Sequence, residues 1–403
     1  MKTLVLGYGV RGRLYAAYAL AHPDEYELVG VADPAADFTG GEPFRTFRDW
    51  REALAAGTGA EAAIIALPDA LHCDAGSAAL ARGLHIMLEK PLCRTREEGE
   101  RLAAAERASG RLVMSGYVLR HSPYYRELAR ILKSGAIGEV VSLHHLCAVS
   151  YAKAAHAFCR GNWGREADGA TMLVQKCSHD FDLIGWWTGY RKCLRVASFG
   201  SLVHWRSENA PAGAAERCAD CPAAVRVGCP FDARKLYEES DSLRYHFADR
   251  SDVAMAKVVR ETPYGRCVYH AGNDAVDHQS VIMEFEGGVT ATIEMESFSA
   301  RRARVTHFYG SRGEIAADGE TIEVMPFGRA PYAIRPETHG AHGGGDDGLM
   351  ADFARLARTV TPSRAASILA GDLATLDLAF RAEESRRGEI SNIPGSVDPG
   401  VSR

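Results

Sequence analysis

The chain of 403 residues is too long for one ordinary hydrophobic core, so its length predicts two or three domains. Hydrophobic residues make up 46% and charged residues 25%, and no apolar run approaches the roughly 20 residues of a membrane helix. The net charge of -5 argues against a general electrostatic surface for nucleic acid. Because a strand pattern begins at once and leaves no room for a signal peptide, we expect a cytoplasmic protein without nucleic-acid or membrane partners.

A glycine-rich turn follows the first strand. Leu4 to Leu6 form a short apolar run, and a helical pattern covers Arg13 to His22. A dinucleotide-binding turn uses its glycines for a sharp bend, for close backbone approach to a pyrophosphate, and for tight packing of helix on strand. The N–H groups and dipole of the helix start then attract the negative charge. The loop residues predicted to bind the cofactor are Gly7, Gly9, Val10, Arg11 and Gly12.

An acidic residue ends the second strand. The apolar run Tyr26 to Ala32 leads into Asp33, about 20 residues after the last glycine of the turn, where such an acid hydrogen-bonds the adenosine ribose. The carboxylate would repel a 2′-phosphate, and Pro34-Ala35-Ala36 supply no cation to receive one. The sequence therefore favours NAD over NADP. Arg11 and Arg13 weaken that preference without reversing it.

Strands and helices continue to alternate up to about residue 120. The predicted elements, in order, are the strand Ala62 to Leu67, the helix Cys73 to Arg82, the strand Leu84 to Leu88, the helix Thr95 to Ser109 and the strand Arg111 to Ser115. This alternation predicts a doubly wound parallel sheet, in which ligands lie beyond the carboxyl ends of the strands. Pro68 and Glu89-Lys90-Pro91 fall at such ends.

The pattern changes in the second part of the chain. The predicted elements are the helix Ser122 to Lys133, the strand Glu139 to Val149, the helix Asp168 to Gly189, the strands Val281 to Phe285, Val289 to Phe298, Arg304 to Tyr309 and Thr321 to Met325, and the helices Asp347 to Arg358 and Ser363 to Arg387. Alternation with period two predicts a mostly antiparallel sheet that is buried on one side. We expect the basic cluster Arg301, Arg302 and Arg304 to be a solvated strand edge or a subunit contact, and the tail from Ser391 to be loose.

Several motifs together resemble one enzyme family. They are Gly7-x-Gly9-x-x-Gly12, Pro68 with His72, Glu89-Lys90-Pro91, Arg120-x-x-Pro123 before a helix ending in Gly135-x-x-Gly138, and His179-x-x-Asp182 before Trp187. Their order resembles the Gfo/Idh/MocA family of glucose-fructose oxidoreductases, inositol dehydrogenases and rhizopine-catabolism proteins. The resemblance spans nearly the whole chain.

The resemblance implies an α/β fold with two domains. We expect an NAD(P)-binding Rossmann domain at 1–120 and a substrate-binding and oligomerisation α/β domain at 121–403, which has a large, mostly antiparallel open sheet and a Cys-containing insertion at about 205–250. Members mostly oxidise or reduce a hydroxyl of a sugar or cyclitol with NAD(P), and the open sheet often forms a dimer or tetramer contact. His72 and Glu89 join Asp33, Pro68 and Lys90 among the predicted cofactor-binding residues.

The helix with His179 departs from the family pattern. Many members carry an Asp four residues before the His, where this chain has Gln175 followed by Lys176. A neutral amide hydrogen-bonds but accepts no proton. Gln175, Lys176, His179 and Asp182 would lie within about 120° on an ideal α-helix and form one polar face toward a cleft. The alternative is that His179 and Asp182 lie on a solvated surface helix.

Oxidation of a hydroxyl requires a base and a positive group for the developing alkoxide. His179 fits the first role because imidazole titrates near pH 6.5. Lys90 fits the second, and the resemblance implies that it reaches both the substrate hydroxyl and the nicotinamide ribose. Lys176 is a rival for the role of Lys90, and the sequence leaves the two undecided.

Other residues are candidates for contacts with the substrate. A sugar offers faces for stacking and many hydroxyls, so the predicted contacts are Tyr117, Arg120, Trp163, Gln175, Asp182 and His342. The aromatic residues could instead belong to the core, and the glycine-rich segment around His342 could be a helix start capped by Asp346.

Three cysteines form a pattern that is typical of a metal site. Cys218-x-x-Cys221 is followed by Cys229, and a fourth ligand is expected at Cys267, with His204 as second choice. The site would hold structural zinc or iron and fasten an insertion. The alternative is that these are ordinary thiols, as we expect for most of the ten cysteines.

Three functions remain open from the sequence. The first is an NAD(P)-dependent dehydrogenase acting on a sugar, sugar derivative or cyclitol. The second is redox-neutral use of the same site, in which transient oxidation to a ketone permits elimination, epimerisation or glycoside cleavage. The third is a non-catalytic protein that senses a dinucleotide or sugar, and the presence of Lys90 and His179 argues against it.

Overall fold

Two β-sheets organise the chain, and the computed structural model describes residues 1–240, 243–247 and 249–389. The strands are β1 Lys2–Leu6, β2 Glu27–Ala32, β3 Arg45–Phe47, β4 Ala62–Ile65, β5 His85–Leu88, β6 Val113–Ser115, β7 Val140–Ser150, β8 Cys193–Ser201, β9 His278–Phe285, β10 Thr290–Ser299, β11 Ala303–Gly310, β12 Gly313–Ala317, β13 Ile322–Pro326 and β14 Tyr332–Ile334. The α-helices are α1 Val10–Ala21, α2 Trp50–Ala55, α3 His72–Leu80, α4 Arg96–Ser109, α5 Pro123–Lys133, α6 Tyr151–Ala154, α7 Ser178–Trp187, α8 Ala223–Val227, α9 Ala233–Tyr237, α10 Asp252–Glu261, α11 Gly345–Thr359 and α12 Pro362–Arg387.

The first sheet has six parallel strands in the order β3-β2-β1-β4-β5-β6. Its central strands are continuous apolar runs because helices cover both faces, and every residue of β4 is buried. The strand order reverses between β1 and β4, where the carboxyl ends of the strands open a crevice. The predicted doubly wound parallel sheet is confirmed.

The second sheet has eight strands in the order β14-β13-β12-β11-β7-β10-β9-β8, and only β7 and β10 pair in parallel. Its inner face packs against helices, as when the Trp187 ring of α7 meets the Phe308 ring of β11 at 5.1 Å between centroids. Its outer face alternates polar and apolar side chains. The predicted large, mostly antiparallel sheet is likewise confirmed.

The last helix joins the two sheets. Asp377 of α12 accepts a 2.6 Å hydrogen bond from Arg96 at the start of α4, and Ser385 accepts a 3.1 Å hydrogen bond from the Ser198 backbone N–H in β8. The predicted domain boundary near residue 120 stays a prediction. Among the described residues, every helix is too short or too polar to span a lipid bilayer.

The structure corrects the prediction of one long helix over Asp168 to Gly189. A 3-10 turn at Glu166–Asp168 and a π-helical segment at Leu173–Cys177 precede α7. A π-turn is wider than an α-turn, so the residues before Ser178 are rotated relative to those in α7. The predicted loose tail, Ser391 to Arg403, lies outside the described residues.

Candidate active site

The glycine loop between β1 and α1 has the three features that a pyrophosphate site needs. Gly7 has a φ of +93°, and a Cβ there would collide with the carbonyl oxygen of Ala66. A Cβ on Gly12 would collide with the carbonyl oxygen of Gly7, so the helix packs tightly on the strand. At Gly9, by contrast, no protein atom lies within 4 Å of such a Cβ. The space over Gly9 at the start of α1 therefore fits a dinucleotide phosphate.

Asp33 lies beside this loop with its carboxylate fixed by backbone N–H groups. One oxygen accepts from Tyr8 at 2.7 Å and the other from Ala35 at 2.8 Å. Sequence reasoning missed Arg48, which follows β3 and donates to the carbonyl oxygen of Ala36 at 2.5 Å. Arg48 lies beside the turn at residues 33–36 because β3 pairs with β2, a pairing that the sequence did not predict. Arg48 supplies a cation near the predicted ribose site.

Arg11 is held by acids rather than free to receive a phosphate. Its Nε donates to Glu89 Oε1 at 2.6 Å and its Nη2 to Asp346 Oδ1 at 2.6 Å. Burial favours neutral Glu89, but Arg11 and the Tyr15 hydroxyl outweigh burial and lower its pKa. Glu89 is therefore a buried carboxylate that fixes the glycine loop, and Arg11 gives no support to NADP.

Lys90 lies at the carboxyl end of β5, next to a cis peptide bond with Pro91. Its Nζ donates to the Gln175 carbonyl oxygen at 2.8 Å and lies 5.3 Å from the centroid of the Trp163 ring. Burial lowers the pKa of Lys90, Lys176 lowers it further, and Glu89 opposes the shift. The Lys90 ammonium thus joins the first sheet to the segment before α7.

His179 is buried at the start of α7, and its Nδ1 has no hydrogen-bond partner among the described residues. The ring of Tyr117 lies 6.0 Å away and that of His342 lies 6.2 Å away, between centroids. Burial, followed by the charge of Lys90, lowers the pKa of His179 well below its usual range. The neutral imidazole therefore has a buried ring nitrogen that no described group satisfies.

Gln175 and Lys176 lie in the π-helical segment before α7, whereas His179 and Asp182 lie in α7 itself. The Gln175 side chain donates to Asp69, which follows Pro68 at the exposed end of β4. Sequence reasoning missed Asp69, although its position after a strand end was a signal. The single polar face of Gln175, Lys176, His179 and Asp182 stays a prediction.

Lys176 belongs to a second group of positive side chains. It is half-buried and has no hydrogen-bond or ion-pair partner within the described ranges. Burial lowers its pKa, and the charges of Arg304 and Arg302 act in the same direction. Lys153, which follows β7, belongs to the same group. Burial lowers its pKa to about 7, and the charges of Arg302, Lys176 and Lys90 contribute in that order.

Arg304 is not the solvated strand edge that the sequence suggested. Its Nε donates to Asp180 Oδ1 at 2.6 Å, and the same oxygen lies 2.8 Å from His145 Nε2. Asp180 is fully buried, so this pairing compensates its charge. Arg302 remains without an ion pair in the described part of the chain.

Arg120 and Asp182, both predicted to contact substrate, pair with each other. The Arg120 Nε lies 2.8 Å from Asp182 Oδ2, and its Nη2 donates to Asp372 of α12. Burial raises the pKa of Asp182 to about 8 although Arg120 opposes the shift. Arg120 thereby links α7 to α12.

His72 lies between the two strand ends that carry Pro68 and Lys90. The two ring nitrogens of His72 lie 2.8 Å from the Pro91 carbonyl oxygen and 2.9 Å from that of Leu67, so His72 holds two loops together. The predicted metal ligands line a separate cavity, which lies in the segment that connects β8 to β9 along the chain. They are Cys218, Cys221, Cys229 and Cys267. His204 instead contacts the Tyr269 hydroxyl at 3.1 Å.

Two sequence profiles of the Gfo/Idh/MocA oxidoreductases match the chain. Residues 1–117 match the profile described as the NAD-binding Rossmann fold of this oxidoreductase family. Residues 129–353 match its C-terminal alpha/beta domain. Together the matches extend over most of the chain.

Individual relatives agree with this match. YteT of Bacillus subtilis is 24% identical over 71% of this chain and 69% of its own length. Inositol 2-dehydrogenase 1 of Saccharopolyspora erythraea is 33% identical, over 32% of this chain and 35% of that protein. A solved structure of levoglucosan dehydrogenase with NADH and levoglucosan has a TM-score of 0.66 over 95% of this chain and 98% of that chain, and at 15% identity it shows the fold alone.

Proposed function

Because the chain belongs to the Gfo/Idh/MocA oxidoreductase family, we propose that it transfers a hydride between NAD and a hydroxyl-bearing carbon of a sugar, sugar derivative or cyclitol. One observation supports this function above the others. Lys90, at a strand end of the first sheet, donates to the Gln175 carbonyl oxygen just before α7, and burial followed by the Lys90 charge lowers the pKa of His179 at the start of that helix.

The proposed cofactor site consists of the glycine loop, Asp33, and the two residues Pro68 and Glu89, which follow β4 and β5. Bound NAD supplies the hydride acceptor. NAD is preferred to NADP because the Asp33 carboxylate repels a 2′-phosphate, whereas Arg48 is the cation that would argue for NADP.

We assign the proton transfer to His179. The neutral ring has a free Nδ1 and takes the hydroxyl proton while the hydride leaves the carbon, so a ketone forms. The Lys90 ammonium uses one N–H for the Gln175 carbonyl and offers the others to the developing alkoxide. Trp163 lies beside the Lys90 ammonium, and the rings of Tyr117 and His342 lie beside that of His179.

Three cations without a carboxylate partner in the described residues, Lys153, Lys176 and Arg302, favour a substrate that carries a carboxylate or phosphate. Ala303 lies opposite Ala148 in the β11–β7 pair, so Arg302 and the segment after β7 with Lys153 share one end of the second sheet. The charges of Lys176 and Lys90 also contribute to the lowered pKa of Lys153, after burial and Arg302. An anionic group of the substrate would relieve this repulsion.

The redox-neutral use of the site is the second candidate, and Lys176 is the observation that favours it. Its amine has a lowered pKa and no partner in the described residues, so a second base is available near Lys90. A ketone would acidify the neighbouring C–H group, and Lys176 could remove that proton. Elimination or epimerisation would follow, with the cofactor restored in place.

One experiment separates these possibilities. Purified protein is mixed with NAD and with pairs of substrates that differ only in charge, such as glucose with glucuronate and inositol with inositol phosphate. NADH absorbance and solvent deuterium in the sugar are followed together. Accumulating NADH supports the dehydrogenase, and deuterium uptake without net NADH supports redox-neutral chemistry. A preference for the neutral member of each pair would contradict the anionic substrate.

Variants test the site itself. Lys90→Ala and His179→Ala should each lower kcat by about 100-fold or more while leaving NAD affinity within a few fold, because each removes a group that acts in the transition state. Lys133→Ala, on the exposed end of α5, is the matched control. Unchanged turnover in both variants would overturn the assignment.

A further inference from the structure

We propose that the segment between β8 and β9 binds a [4Fe–4S] cluster through four cysteines. The ligands are Cys218, Cys221, Cys229 and Cys267. The proposal concerns a site apart from the dehydrogenase cleft and does not depend on the proposed substrate.

Distant parts of the chain bring these cysteines together. An isolated bridge pairs Arg217 with Arg266, so the next residues, Cys218 and Cys267, lie side by side. The Cys218 N–H donates to Gly265 at 2.9 Å and the Cys267 N–H to Glu216 at 2.9 Å. Cys267 is thereby held beside a cysteine almost 50 residues away. A chance set of surface thiols would not require such a bridge.

All four thiols face one cavity. Cys229 follows α8, and Cys221 follows Cys218 in the spacing typical of metal–thiolate turns. The cavity is partly open to solvent. Its other walls are mostly apolar, with Val225 and Tyr269 among them.

The width of the site favours a cluster over a single ion. Tetrahedral zinc has Zn–S distances of about 2.3 Å, which places its sulfurs about 3.8 Å apart. Within the described residues, no three of these four sulfurs lie within 4.8 Å of one another. In a [4Fe–4S] cluster each thiolate bonds a different iron, so the sulfurs are spread around the inorganic core.

A buried arginine beside the thiols supplies the charge that such a cluster needs. Arg160 is 4% exposed, and its Nη2 lies 3.4 Å from Cys218 Sγ. Its other contacts are the carbonyl oxygens of Arg266 and Phe231, both at 2.6 Å, and no carboxylate pairs with it in the described ranges. An unpaired buried cation is costly, whereas a cluster held by four thiolates is anionic. Arg160 is therefore a partner for the negative charge.

The cluster would fasten the insertion to the active-site wall. Arg160 ends the π-helical segment Ala155–Arg160, and Trp163 follows a few residues later. The Cys159 thiol of the same segment donates to the Val268 carbonyl oxygen at 3.2 Å, next to Cys267. Loss of the cluster would release Trp163 from its position beside Lys90.

Element analysis of the full chain tests the proposal. The protein is isolated without oxygen, then reconstituted with ferrous iron and sulfide, and iron, zinc and acid-labile sulfide are measured at both stages. We expect about four iron and four sulfide per chain, and an electron paramagnetic resonance signal after reduction with dithionite. One zinc without sulfide would overturn the cluster, as would the absence of iron at both stages.

Substitutions show whether these thiols are the ligands. Cys221→Ser and Cys229→Ser should each lower iron and sulfide by at least half, and Cys193→Ser in β8 should leave both unchanged. Equal loss in Cys193→Ser, or full iron in the other two, would contradict the assignment. If a ligand variant fails to fold, the iron and sulfide content of the unaltered protein decides.

Discussion

The charge states of His179 and Lys90 set opposite limits to the pH range of the reaction. His179 must be neutral to accept a proton, and its pKa is lowered well below 6.5, first by burial. Lys90 must stay charged, and burial lowers its pKa from 10.5. We predict that kcat/KM falls only below pH 6.5 on the acid side and begins to fall before pH 10.5 on the alkaline side. A pH profile with its acid limb above pH 6.5 would contradict the role of His179.

Asp182 predicts an unusual pH dependence of stability. Its pKa is about 8 in the folded protein, chiefly because of burial, and 3.8 is the ordinary value. The folded state therefore holds a proton that the unfolded state releases, and stability falls as pH rises from about 4 to 8. The slope is about 1.4 kcal/mol per pH unit from this group. Asp182→Asn should lose that slope in urea unfolding, whereas exposed Asp37→Asn should keep it.

At the scale of residues, the sequence indicated which side chains could take part in catalysis. It did not indicate which charged side chains form ion pairs with one another. Lys90 and His179 were found from local motifs. Arg11, however, pairs with Asp346 across 335 positions, and Arg304 pairs with Asp180 across 124. Such pairs depend on tertiary contacts, and the local sequence around a basic residue is the same whether its side chain is solvated or buried.

At the scale of elements, the glycine loop offers a matched pair of substitutions. Gly9→Ala adds a methyl group to open space, so stability should stay unchanged while the Kd for NAD rises by about tenfold or more, or about 1.4 kcal/mol. Gly12→Ala adds the same group against the Gly7 carbonyl oxygen and should lower the free energy of unfolding by about 1–3 kcal/mol. Calorimetric titration and urea unfolding measure the two effects. Equal destabilisation by both variants would contradict this division of roles.

The elements with strong periodicity were predicted within a few residues, including β2, α4 and α12. Thr95 caps α4 and Gly110 ends it with a φ of +65°, and both signals are local. The short strands β3 and β14 were missed because three residues carry almost no pattern. The π-helical segment was missed because the same apolar residues suit an α-helix, and tertiary packing decides between them.

At the scale of the whole molecule, the outer face of the second sheet predicts association. Phe199 is 73% exposed and Ile282 53% exposed on neighbouring strands, and Val305 lies on the same side. We predict that a second copy covers this face in a homodimer or homotetramer, because burial of these exposed apolar side chains would stabilise the pair. Ile282→Lys should reduce the mass measured by light scattering, and Lys133→Ala should not. A monomeric parent protein would contradict the prediction.

The Arg11 guanidinium connects the glycine loop to Asp346 at the start of α11, and this connection couples the stability of the two segments. Any ligand that orders the glycine loop also orders the Asp346 carboxylate and α11, at whose start Asp346 lies. NAD should therefore slow amide hydrogen exchange in Gly345–Thr359, and Asp346→Asn should reduce that effect. By reciprocity, a substrate that orders α11 must tighten NAD by the same factor, so the two ligands cooperate without touching each other.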